Sequence, residues 1–141
     1  MTTPQSKISQ QEGRIGHESL AGCLTAPLTG FNLAKEIAQL HEEEAWLQTG
    51  RNSKTLVKQP DFRIELVALQ KACHLEEHSA DARISIYPLT GHVKLQLQEQ
   101  TVDLLYGHLH VLDGATEHNL EALEESAILL TFSLPHAAEI G

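Results

Sequence analysis

"LEEHSADARISIYPLTG", from Leu75 to Gly91, decides how this chain is read. A histidine stands before a short polar turn, a β-type run follows, and a glycine closes it. The same texture continues on both sides. "KTLVK", "FRIELVAL", "RISIYPL", "HVKLQLQ", "TVDLLY", "HLHVL" and "AILLTFSL" are short and rich in Val, Ile or Leu. The turn signals "QPD", "HSAD", "TG", "YG" and "LDGAT" separate them. Short strands at close spacing, with no helix between them, specify an all-β sandwich or small barrel. "HVKLQLQ" alternates strictly, with Val93, Leu95 and Leu97 against Lys94, Gln96 and Gln98, so one face of that strand is wet. "HLHVL" and "AILL" are apolar on both faces and are expected to be covered on both.

Upstream the pattern changes. "NLAKEIAQLHEEEAWLQTG" reads as a helix over residues 33–46, capped by Asn32, with Leu33, Ile37 and Leu40 at helical spacing and Gly50 as its stop. Its acidic run Glu42 to Glu44 reads as a solvated face. Residues 1–30, rich in Ser, Thr, Gln and Gly, read as a flexible arm, with "LAGCLTAPLTG" ordered against a neighbour. The expected organisation is an arm over 1–30, a helical segment over 31–50 and a β-barrel over 51–141.

With 141 residues the chain suits one core. Its net charge of -9 repels phosphate backbones and argues against a nucleic-acid partner. "MTTPQSKISQ" lacks the apolar stretch of a secretory signal, and no run approaches a membrane span. Cys23 and Cys73 match neither a disulfide framework nor a zinc spacing. A cytoplasmic protein without a membrane partner is therefore expected. Histidine is the exception to this plain composition: of nine, five (His74, His78, His92, His108 and His110) fall between positions 74 and 110. Imidazole is a common metal ligand and the common acid or base near neutral pH.

Across roughly residues 54–134 the sequence resembles a small single-domain cupin, a jelly-roll barrel or double-stranded β-helix. The first cupin motif, G-x5-H-x-H-x3-E-x6-G, has its full length from Ala72 to Gly91, with His78 on the first His and Gly91 on the closing Gly. The second, G-x5-P-x-G-x2-H-x3-N, is matched by "GHLHVLDGATEH", with Gly107 opening it and His118 on its His. The resemblance implies an all-β cupin barrel with one N-terminal helix packed outside, and a homodimer. Metal-binding cupins draw two His and a Glu from the first motif and one His from the second. In this register those positions become His78, Ala80, Ile84 and His118, and the closing Asn becomes Ala122. The metal motif is degenerate.

Other residues can be asked to replace the missing ligands. Glu76 lies two residues before His78, so on a strand both share a face. His110 falls where the family turns an apolar residue into the barrel, and would face His78 and His118. Three His, or two His with Glu76, suit zinc, iron, nickel or manganese. The bland alternative makes His110 a hydrogen-bonded core residue. Arg83 is a candidate for an anionic ligand or for pairing with Glu76 or Asp81, and Tyr87 for donating a hydroxyl. Three functions stay open. One is a small-molecule-binding cupin with His78, His110 and His118 lining its pocket and little or no metal. Another is a metal-dependent dioxygenase or isomerase acting on a small organic acid, phenol or sugar derivative. The third is a metal-free enzyme with His78 or His118 as general base.

Overall fold

Alternation along the strands becomes two layers. The computed structural model describes residues 22–24, 26–77, 82–114 and 116–135. Helices α1 (Leu33–Leu40) and α2 (Glu44–Thr49) precede β1 (Arg51–Gln59), β2 (Phe62–Leu69), β3 (His74–Glu77), β4 (Arg83–Thr90) and β5 (His92–Gln96). Strands β6 (Thr101–Leu105), β7 (His110–Leu112), β8 (His118–Ala122) and β9 (Ser126–Ser133) complete the order. One sheet runs β1-β2-β9-β4-β7 and the other β3-β8-β5-β6, with every pairing antiparallel. This is an all-β jelly roll.

Between the sheets lies the main core. Val67, Leu69, Ile84, Ile86, Ile128, Leu130 and Phe132 come from the five-stranded sheet. Val93, Leu95, Leu104, Leu120 and Ala122 face them from the other. A second core forms on the outer face of the five-stranded sheet, where Leu66 and Ala68 meet Leu40 and Trp46 of the helices. A register shift between Thr55 and Val57 lets β1 turn both Leu56 and Val57 into that second core, which strict alternation forbids.

The expected single helix is two. α1 is capped by Asn32, whose side chain accepts from the Lys35 N–H at 3.1 Å. It stops at His41 because tertiary contacts take over there. Asn52 Nδ2 donates to the Leu40 carbonyl at 3.0 Å and to Glu43 Oε1 at 2.9 Å, while His41 stacks on Trp46 with ring centroids 4.2 Å apart. The acidic run Glu42 to Glu44 is exposed, as expected, but it lies at the break between two helices rather than along one helix. Gly50 ends α2 in the left-handed conformation expected of its stop signal.

Strands β3 and β8 were not expected as strands, because "HLEE" and "HNLEA" lack the β-branched signal. Conversely, only His110–Leu112 of "HLHVL" pairs, and the covering expected on both of its faces is missing. Leu109 is 60% and Val111 59% exposed. "AILL" is covered on both faces, by the barrel core and by the helix-side core. Of the N-terminal region, Gly22 touches the sheet through its carbonyl, which accepts from the Lys58 N–H of β1. No helix among the described residues is long and apolar enough to cross a membrane.

Candidate functional site

The register of the strands assigns each histidine a direction. In β7, Leu112 pairs with Ile84 and His110 with Ile86. Both partners belong to the barrel core, so His110 turns inward. It is half-buried, and its Nδ1 is buried without a hydrogen-bond partner among the described residues. In β8, His118 shares its face with Leu120 and Ala122, and is 5% exposed. Its Nδ1 lies 3.0 Å from the Thr116 carbonyl. A carbonyl only accepts, so Nδ1 carries a proton, and in the neutral tautomer the lone pair falls on Nε2. That Nε2 is buried and has no partner among the described residues. Leaving a buried polar atom unpaired costs free energy on the order of 1–3 kcal/mol, which a core histidine with satisfied nitrogens avoids.

His118 lines an open depression of about 230 Å³ at one end of the four-stranded sheet. Glu76, Asn119 and Gln96 form a row across β3, β8 and β5 on the outer face, because Asn119 pairs with both of the others. Leu97, Gln98 and Glu117 complete the lining. The Asn119 Oδ1 in this row is also buried and without a partner. Sequence reasoning missed Thr116, Asn119, Gln96, Gln98 and Glu117. The alternation of "HVKLQLQ" signalled Gln96 and Gln98 as a polar face, but nothing local marked "TEHN" as the start of a strand.

Other expected site residues fall elsewhere. Tyr87 pairs with Leu129, which belongs to the helix-side core, so it faces away from the barrel interior. Arg83 shares that outward parity and is exposed. Its Nε lies 3.3 Å from Asp113 Oδ1, a partner that the sequence did not announce. Gly114 N–H donates to the same oxygen at 3.0 Å. That backbone bond, then Arg83, holds the Asp113 carboxyl below its ordinary value of 3.8. Glu76 sits on the outer face, opposite in direction to its inward neighbour Leu75. It lines the depression and does not join His110 inside. His78, Ala80 and Asp81 lie outside the described residues.

The cupin metal motif meets an apolar interior here. Ile84, at the motif's Glu position, is 2% exposed, and Ala122, at its Asn position, is fully buried. Among the described residues no three His, Cys, Asp or Glu side chains lie close enough to share a metal ion. The described residues alone do not make up the metal centre implied by the fold, and the proposed sets that include His78 reach beyond them. By contrast, the motif's backbone is kept. Ala72, Gly91 and Gly107 all adopt positive φ, at 76°, 87° and 85°, so even the Ala that replaces the opening Gly retains the left-handed turn.

No protein-family model matches the chain, and no curated protein matches it in sequence. Solved structures do match. A conserved protein of unknown function from Streptococcus pyogenes is 26% identical, with a TM-score of 0.59 over 63% of this chain and 78% of that one. KdgF from Halomonas sp. is 20% identical, with a TM-score of 0.57 over 66% and 88%. A cupin-2 domain containing protein from Shewanella frigidimarina is 17% identical, with a TM-score of 0.57 over 72% and 91%. In strand order, motif backbone and likeness to these structures, the chain has the fold of the small cupins.

Proposed function

We propose that this chain is a small-molecule-binding protein that seats its ligand at the barrel mouth against His118. The observation that carries the reading is the His118 ring, fixed by Thr116 through Nδ1 and left with a buried, unpartnered Nε2 beside an open depression. A nitrogen held in that state is set up to receive a donor from outside the protein. His110, turned into the barrel from β7, and His78 are its further proposed members. The test compares wild type with His118→Leu by thermal melting against a metabolite library, and by native mass spectrometry. Leu removes the unpaired nitrogen, so the variant should melt no lower than wild type without ligand and lose the ligand-induced rise. A ligand-induced rise that survives in His118→Leu overturns the reading.

A metal-dependent enzyme of the dioxygenase or isomerase type is the second reading. One observation favours it: His110 Nδ1 and His118 Nε2 are both buried and unpartnered among the described residues. Elemental mass spectrometry of untagged protein decides it, on wild type and on His78→Ala, His110→Ala and His118→Ala. Near-stoichiometric zinc, iron, nickel or manganese lost in the variants supports it. No metal after loading overturns it. For either reading we propose a homodimer, supported by the exposed Tyr106, Leu109 and Val111, and a cytoplasmic protein without a nucleic-acid or membrane partner. A sedimentation mass of 15.6 kDa overturns the dimer.

A further inference from the structure

We infer that the molecule received at the mouth depression is a small organic amine, which brings hydrogen-bond donors and positive charge to a rim of acceptors. The inference rests on the depression being the ligand site, and goes beyond that reading by assigning the ligand its chemistry.

The polar atoms left open there accept hydrogen bonds. Asn119 Oδ1 is buried and unpartnered. His118, more than nine-tenths buried, gives its Nδ1–H to the Thr116 carbonyl and leaves Nε2, the acceptor of that tautomer, without a partner among the described residues. Exposed Glu117 adds a carboxylate to the lining, and among the described residues neither Lys nor Arg lines it. Lys94, two residues before Gln96 on the same outer face, is engaged elsewhere, with its Nζ 3.3 Å from Glu121 Oε1. An anionic ligand would therefore meet acceptors, carboxylates and a chain of net charge -9.

Acceptors also suit a bare metal ion, but these are too dispersed for one: no three metal-binding side chains among the described residues converge. A molecule whose donors are spaced along a carbon frame satisfies separated acceptors where a point charge does not. Leu97 offers the frame an apolar contact, and Gln96 and Gln98 serve any hydroxyl or amide it carries. At about 230 Å³, below the range of drug-sized pockets, the depression suits a molecule of only a few heavy atoms.

The experiment uses three probes of one carbon length on the full chain: 1,4-diaminobutane, 1,4-butanediol and succinate. NMR follows the Asn119 side-chain amide and the His118 ring. The diamine is expected to shift both saturably, the diol more weakly and succinate not at all. Exposed Glu117→Gln should weaken the diamine about fivefold without altering the melting temperature, as befits the loss of one solvent-exposed ion pair. Succinate acting as strongly as the diamine overturns the amine class but leaves the His118 mouth as a ligand site. Diamine shifts spread over the acidic surface, without saturation at Asn119 and His118, also overturn it. So does silence from all three probes, and the His118→Leu melting comparison then judges the site reading separately.

Discussion

Ile84 stands directly opposite Leu112, and both side chains turn into the barrel at the level where a metal-binding cupin carries its carboxylate. Phe132 flanks Ile84 on the other side, in the neighbouring strand β9. Three apolar side chains thus close in register where a carboxylate would need hydrogen-bond partners. The replacement of Glu by Ile is therefore accommodated by its neighbours, and the interior at that level is packed.

Restoring the carboxylate should fail. Ile84→Glu places an ionisable group among Leu112 and Phe132 at a position 2% exposed, and is expected to cost more than about 3 kcal/mol. Urea unfolding measures the loss, and elemental analysis should find no gain in bound metal. A variant with the wild-type midpoint that takes up zinc would show that the interior can still assemble a centre.

Ala72 is the one non-glycine residue with positive φ among those described. Its backbone is held there, since its N–H donates to the Ala122 carbonyl at 2.7 Å. An alanine in this region carries roughly 1–2 kcal/mol of strain, partly offset by the lower unfolded-state entropy it brings relative to glycine. Ala72→Gly should therefore raise stability, by about 0.5–1 kcal/mol on balance. Thermal melting checks it, and a drop in the midpoint refutes the strain.

The fold was legible because strand alternation and motif spacing are both local signals. Val93 and Leu95 announced their inward face, and Gly91 and Gly107 sat where a left-handed turn was needed. The site was less legible because it depends on register between distant strands. Whether Tyr87 faces ligand or helix is decided by its pairing with Leu129, and which way Glu76 points by its pairing with Asn119. The helix break at His41 was hidden for the same reason. It depends on Asn52, a residue of the following strand, reaching back to Leu40. Spacing along one segment encodes neither relationship.

Asp113 should titrate below 3.8, chiefly through the Gly114 N–H and secondly through Arg83. Its folded pKa is depressed, so the stability it contributes is present above 3.8 and is lost as pH falls through the folded value. NMR titration of the carboxyl tests the order of causes. Gly114→Pro, which removes the N–H, should raise the value more than Arg83→Gln does. Added salt should weaken the Arg83 contribution most, because both side chains are exposed. A larger rise in Arg83→Gln would reverse the assignment.

Gly91 and Gly107 share nearly the same φ and differ in what surrounds them, which separates backbone strain from steric exclusion. A Cβ at Gly107 meets nothing within 4 Å. Gly107→Ala should then cost only the left-handed conformation, about 1 kcal/mol. A Cβ at Gly91 would run into Ser126 Oγ and the Glu125 carbonyl, neither of which can move freely. Ser126 Oγ is committed to the His92 N–H at 3.0 Å and to the Glu124 carbonyl at 2.8 Å, and its residue is 1% exposed. Gly91→Ala must break that arrangement, and is expected to cost on the order of 3 kcal/mol or more. Parallel urea unfolding of the two variants reads the difference. Equal losses would mean that the Ser126 turn yields, and that the closing glycine of the first motif is required for φ alone.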